Sequence, residues 1–522
     1  MGTNLCETEV APPRTLEKRL ILGAVCLAAL SMPLSFTGPA LALPAIAGRL
    51  GGSPLALAWV TNAFMLAFGS CLLVAGTLAD RYGRKRVFLF GTLGFALASI
   101  LAALAPSLLA LDLARALQGM AGAAALSAGA AALAQEFEGH ARTRSFSLLG
   151  TTFGVGLAFG PVLAGALVEH SGWRAVFAIV TAVSAMASVL GAVCMRETRD
   201  PLAASVDWPG AAAFTCALAL LTYAVLRVPD GGWTGGAVLG LVAASAVAAT
   251  AFVLIELRSA RPMLELALLR YPRFAGVQFL AAAPAYSYVV LLVLLPIRLI
   301  GIEGFDSVAA GRMMFALSAP MLVVPTIAAW LARTIAPGIV AGVGLLLCAC
   351  GHVWLAQCAP GQSVGNLLMA MSLIGTGVGL PWGLMDALAV SVVPKERAGM
   401  AAGIFNTTRV AGEGIALAVV AALFAGLIES GLHGVSQQGA SEAALEHAAN
   451  RLSMGDVPAA SAWIRGIGSR ELIHVYGVAF HSLLDVLAAI TVFSALLVFG
   501  FLGRGHAHED PQRTKSRMPA CN

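Results

Sequence analysis

The sequence predicts an all-α polytopic membrane protein with fourteen transmembrane helices, and three observations carry that prediction. Hydrophobic residues make up 59% of the 522, charged residues only 11%, and the mean hydropathy is +0.85. A soluble domain carries roughly 25% charged residues because its surface faces water. A chain this apolar has too few charges for such a surface, so most of its exterior faces lipid. The apolar residues also fall into fourteen stretches, each near the roughly 20 residues that cross a bilayer at about 1.5 Å rise per residue. Finally, the basic residues gather in alternate connecting segments. Together these exclude a disordered chain, a nucleic-acid-binding domain and a disulfide-built secreted module. The net charge of +5 says little, because where the bases lie matters more than their sum.

The chain opens with a polar segment, 1–20, carrying Arg14, Lys18 and Arg19. The first apolar stretch, 21–43, exceeds a signal-peptide core and lacks a clear cleavage site, so it reads as a retained helix. Stretches at 57–79, 87–105, 108–134, 146–168 and 174–194 complete a set of six. Two more follow at 208–227 and 235–257. The last six lie at 275–299, 309–330, 338–357, 364–391, 401–428 and 476–502. Only helices satisfy every backbone group in hydrocarbon, and these runs are too long for barrel strands. Basic clusters such as Arg81, Arg84, Lys85, Arg86 and Arg258, Arg261, Arg270, Arg273 put both termini in the cytoplasm by the positive-inside rule. The long stretch 429–475 then lies outside, where polar helix-like pieces such as 441–452 read as a solvated loop cap. The tail, 503–522, is cytoplasmic on the same rule.

None of the nine cysteines forms a CxxC pair, and most sit in apolar runs where thiols behave as small hydrophobes. No metal centre and no cofactor are expected. No GxxxxGK[ST] occurs, which argues against ATP-driven pumping by this chain, and no nucleophile–base constellation points to an enzyme.

Three motifs are specific. The loop after the second helix reads Gly76-Thr-Leu-Ala-Asp80-Arg81-Tyr-Gly83-Arg84-Lys85-Arg86, a glycine-tight turn with an acid and several bases where two helices meet. The fourth helix holds Arg115-Ala-Leu-Gln118-Gly119; an arginine within a span is costly, by about 2.5–3.5 kcal/mol on insertion scales. The fifth holds Gly156-Leu-Ala-Phe-Gly160-Pro161-Val-Leu-Ala164-Gly165, where small residues allow close helix approach and the proline bends the helix. In order and spacing these resemble the loop signature, the RxxQG element and the antiporter motif of the major facilitator superfamily. Trp59-Val-Thr-Asn62, Gly172-Trp173-Arg174 and the segments bracketing the seventh helix narrow the resemblance to its fourteen-helix drug:proton antiporters, over roughly residues 20–502.

That resemblance implies two six-helix bundles, 21–195 and 275–502, joined by a linker, 196–274, that carries the two extra helices. It implies rocking of one bundle against the other around a midplane site. Gly76, Asp80, Arg81, Gly83, Arg84, Gly156, Gly160 and Pro161 are then the gating residues. The expected activity is secondary active efflux of a drug-like amphiphile, with protons as the counter-substrate, in the cytoplasmic membrane of a bacterium. The expected partners are a small molecule, protons and membrane lipid, with no nucleic acid and a monomeric state. Partners in the outer envelope are left open.

One departure from the family pattern bears on mechanism. The first helix of such antiporters usually carries an acid before an ALP element, and here Ser35 stands in its place. Serine does not titrate, so coupling needs another carrier. Glu413 is the first candidate, four residues after Arg409 and on the same helix face. Its bland reading is a structural Arg409–Glu413 pair. Asp386 reads either as a carrier or as a solvated helix-end residue, and Asp112 either as a carrier or as the group that orients Arg115. Trp59, Asn62, Gln278, Tyr286, Trp382 and Phe405 are candidate substrate contacts, because polyspecific sites are mainly apolar and aromatic with few polar anchors; each also reads as packing. Arg298 in Leu295-Pro296-Ile297-Arg298 either snorkels to the interface or lines the cavity. In the second case the substrate is an anionic or zwitterionic metabolite or siderophore. A non-transporting sensor or scaffold is the alternative of another class.

Overall fold

A computed structural model describes residues 15–137, 139–199, 207–228, 232–259, 268, 270–361, 363–393, 398–435, 441–464 and 467–503. Most of the expected N-terminal segment and tail and Arg261 lie outside these residues. Among the described residues, fourteen helices are long and apolar enough to cross a membrane. They begin where local chemistry permits. Ser53 and Ser107 accept the Ala56 and Ala110 amides at the starts of the second and fourth helices, and Asp207 accepts that of Gly210 at the seventh.

Several helices outrun their apolar stretches. The first spans Thr15–Leu50 and the thirteenth Ala398–Val435, about 57 Å at 1.5 Å per residue, against a hydrocarbon core of about 30 Å. Hydropathy marks only the portion in lipid, whereas backbone hydrogen bonding carries a helix on into water. The 429–475 segment is accordingly shorter as a loop and contains two helices, Glu442–Ser453 and Val457–Trp463. The first is amphipathic rather than fully solvated: Leu445, Ala448, Ala449 and Leu452 are buried.

The chain divides into two compact units. The first comprises residues 1–263, 292–315 and 454–456. In it the first helix packs along the fifth and sixth, and the fourth along the second and third. The seventh and eighth pack on each other, and the seventh also meets the second. Its core near the loop signature joins Ile21, Val25, Phe88, Leu133 and Met195. The second unit comprises 264–291, 316–453 and 457–522. There the eleventh helix packs along the twelfth and fourteenth, and Phe405, Met385, Leu345 and Val498 lie in one core. The ninth span, Pro272–Ile302, contains two π-helical segments, Ala285–Val289 and Arg298–Ile302. Such segments shift side-chain register and recur at functional sites.

Candidate functional site

In the first unit the loop signature closes around Gly83, not Gly76. Gly83 has φ +113°, a conformation that favours glycine, and its N–H donates to Ala79 O. A β-carbon there would collide with the Glu197 carboxylate. Gly76, expected in a tight turn, instead lies inside the second helix, where a β-carbon would meet nothing within 4 Å. Asp80 pairs with Arg84 one turn on, at 2.9 Å, and Arg84 also donates to Gln135. Glu197 accepts the Lys85 amide at 3.2 Å and pairs with Arg86 at 3.4 Å. Arg81 is exposed, its guanidinium 5.6 Å from the Tyr82 ring centre. Gln135 and Glu197 were not singled out from sequence, because both lie far along the chain from the loop, one in the fourth helix and one beyond the sixth.

The fifth helix meets the first through its glycines. A β-carbon at Gly156 would strike Pro33, and one at Gly160 would strike Thr37. Farther along, the Pro161 carbonyl lies against Gly311, and Gly165 lies against the Ser307 carbonyl. Each of these small residues therefore admits a neighbouring backbone or side chain that a larger residue would push away.

Arg115 is completely buried and joins four helices. Its Nε donates to Val60 O of the second helix at 2.8 Å. Its Nη1 donates to Ser35 Oγ of the first at 2.7 Å, and to Gln118 Oε1. Gln118 Nε2 in turn donates to Ser99 Oγ of the third helix at 2.6 Å. The Phe64 ring centre lies 4.4 Å from the guanidinium carbon. Sequence reading named Arg115, Gln118 and Ser35 separately; Ser99, Val60 and Phe64 gave no signal, because a serine or a backbone carbonyl in an apolar run is unremarked until the helices are docked. Asp112, read as orienting Arg115, forms no ion pair with it, and its Oδ1 is buried without a partner among the described residues. Trp59 packs on Tyr223 of the seventh helix, with ring centres 6.2 Å apart, so it meets the inserted pair. Asn62 donates to Ala58 O, leaving Oδ1 buried without a partner among the described residues. Arg298 neither snorkels nor stands alone: it is 2% exposed and pairs with buried Glu303 at 2.7 Å. The case for an anionic substrate made from Arg298 therefore falls, since its charge is met.

In the second unit Arg409 lies over the rings of Trp382 and Phe405, at 5.8 and 5.6 Å from their centres. It donates to Asn406 Oδ1 at 2.8 Å and lies 3.8 Å from Asp386, which is mostly exposed. Of the two readings of Glu413, a structural pair with Arg409 is not formed as an ion pair: Glu413 is 8% exposed and has no ion pair within 4 Å among the described residues. Tyr286 shares a hydrogen bond with Ser494, and Tyr288 donates to Ser318 at 3.0 Å. Both amide atoms of Gln278 are buried without a partner among the described residues.

With this geometry in place, comparison with known proteins is informative. Residues 24–417 match the family described as Major Facilitator Superfamily. The chain is 31% identical to the multidrug resistance protein Stp of Mycobacterium tuberculosis, across 75% of this chain and 73% of that one. It is 31% identical to a probable actinorhodin transporter of Streptomyces coelicolor, across 85% and 78%. It is 30% identical to the tetracenomycin C resistance and export protein of Streptomyces glaucescens, across 77% and 75%. Among solved structures, a bacterial homologue of the human lysosomal transporter Spinster shares the fold, with a TM-score of 0.65 over 94% of this chain and 98% of that one at 15% identity. The chain is a multi-pass membrane transporter, not an enzyme, and it belongs to the Major Facilitator Superfamily, in its fourteen-helix drug:proton antiporter branch.

Proposed function

We propose that the protein exports drug-like amphiphiles across the cytoplasmic membrane of a bacterium in exchange for protons, by alternating access. The observation that carries this reading is the likeness to drug-resistance and antibiotic-export proteins over about three quarters or more of this chain and nearly as much of theirs. The buried Arg115, bonded to the first and second helices, and the Asp80–Arg84 pair support it, since a scaffold needs neither. In this reading residues 21–195 and 275–502 form the two bundles, 196–274 carries the insert, both termini are cytoplasmic and the monomer is the working unit.

Glu413 is the proposed proton carrier, because it is a buried carboxylate in a span with no ion pair among the described residues, and such groups mark ion pathways. Arg409 stands one turn before it, close to Asp386 and the rings of Trp382 and Phe405, and Tyr286 and Gln278 serve as polar anchors for substrate. Asp112 is the second acid on the pathway, and Asn62 a further polar anchor. Asp80, Arg84 and Gly83, with the glycines of the fifth helix, govern the conformational exchange.

The test is substrate-triggered proton movement in everted vesicles, with cationic, neutral and anionic amphiphiles. One class should collapse the pH gradient with the wild-type protein and not with an Asp386→Asn, Glu413→Gln double variant. Passage of labelled compound without proton movement would retain export and remove the antiport part of the proposal.

A further inference from the structure

Arg115 is completely buried, yet every group it touches is neutral: a carbonyl, a hydroxyl, an amide and an aromatic ring. A cation taken out of water is stable only when its charge is met and its donors are filled. The first is met only at a distance, by Asp112, and the second is not met. Nη2 has no hydrogen-bond partner among the described residues, and no carboxylate lies within ion-pair distance. Asp112, three residues earlier on the same helix face, acts on Arg115 only across space, and its own Oδ1 is unpartnered among the described residues.

The second free donor is on Ser35. Its Oγ accepts from Arg115 Nη1, but its own hydroxyl proton has no acceptor among the described residues. Its helix neighbours differ: Ser31 donates to Ala28 O at 2.6 Å and Thr37 to Pro33 O at 2.9 Å. The Ser35 O–H and Arg115 Nη2–H are thus two unspent donors joined through one hydrogen bond, one of them cationic. Two adjacent donors of this kind match the two oxygens of a carboxylate.

We infer that Ser35 and Arg115 form a recognition point for a carboxylate group on the exported molecule. The inference rests on the export reading and gives it a substrate class, acidic amphiphiles. Ser35 is the specificity-determining residue in this arrangement. A hydroxyl leaves the arginine's charge for the ligand, whereas an acid at this position would satisfy Arg115 from within the protein.

The test uses the purified full-length protein in detergent, with decanoate, decanol and decyltrimethylammonium as probes that share a chain and differ in head group. Wild type should bind decanoate saturably and the other two at least about tenfold more weakly, the scale of a charge-assisted hydrogen bond. Arg115→Gln and Ser35→Asp should each weaken decanoate by about tenfold or more, and Ser35→Thr, which keeps the hydroxyl, should retain it. Asp112→Asn, which removes a negative charge one turn away, should tighten it. Equal binding of decanoate and decanol by wild type overturns the inference, as does undiminished decanoate binding by Ser35→Asp. If Arg115→Gln is not monodisperse, the contrast between Ser35→Asp and Ser35→Thr decides alone. Ethidium efflux from energised cells runs in parallel. Efflux without carboxylate preference removes this inference and leaves export standing; loss of both removes both; carboxylate preference without ethidium efflux supports the inference and narrows export to acids.

Discussion

Ser99 shows how a residue with no sequence signal becomes part of a functional network. It accepts the Gln118 amide, and Gln118 accepts from Arg115, so the hydroxyl stands two bonds from a buried charge. Ser99→Ala leaves Gln118 Nε2 without its acceptor, and an unsatisfied buried donor costs about 1–3 kcal/mol. The expected result is a lower melting temperature for the purified protein, with Thr at the same position restoring it. Arg115→Ala should abolish export while membrane insertion persists, read as dye efflux against protein level in the membrane. Glu413→Gln should stop proton movement with protein level unchanged; a reduced level with normal coupling would assign Glu413 a structural role instead. At this scale the sequence revealed which residues are chemically unusual, since an arginine or glutamate in an apolar run stands out. It did not reveal their partners. Four-residue spacing left open an Arg409–Glu413 ion pair, but Arg409 bonds Asn406 on its own helix and lies 3.8 Å from Asp386 of the twelfth, an acid that spacing along one helix does not reveal.

Whole helices were the most legible level, for a physical reason. A span needs a fixed length of apolar residues, and that demand is written directly in composition, so all fourteen were identified with only their ends displaced. Interruptions within them were not legible. The π-helical turns at Ala285–Val289 and Arg298–Ile302 change hydrogen-bond register without changing hydropathy. Glycine was ambiguous in the same way, since one residue type serves both close packing and mere tolerance. Gly156→Leu should prevent accumulation of monodisperse protein, because overpacking against Pro33 costs about 1–3 kcal/mol or more. Gly76→Ala should leave the folded yield unchanged, because no neighbour stands within 4 Å. Fluorescence-detected size-exclusion profiles of the two variants separate these outcomes directly.

For the molecule as a whole, the loop signature acts through residues far away in sequence. Glu197, beyond the sixth helix, accepts the Lys85 amide and pairs with Arg86, and the Arg84 amide donates to Thr198 O at 2.9 Å. Arg196 pairs with Glu17 of the first helix at 2.9 Å. Among the described residues this end of the first unit is therefore braced by three partly exposed ion pairs, each worth about 0–1 kcal/mol. Asp80→Asn should accordingly leave stability nearly unchanged and slow transport, measured as efflux rate at matched protein level. The paired contacts of Gly156 with Pro33 and Gly160 with Thr37 have a further consequence for how such chains diverge. Both pairs are four residues apart on each helix, so they fix the angular phase of one helix against the other. Removing a single residue between them would rotate everything beyond by about 100° and bring bulkier side chains to the seam. Insertions and deletions in descendants of this gene should therefore gather in connecting segments such as 200–206, while the first and fifth helices change letter by letter at constant length.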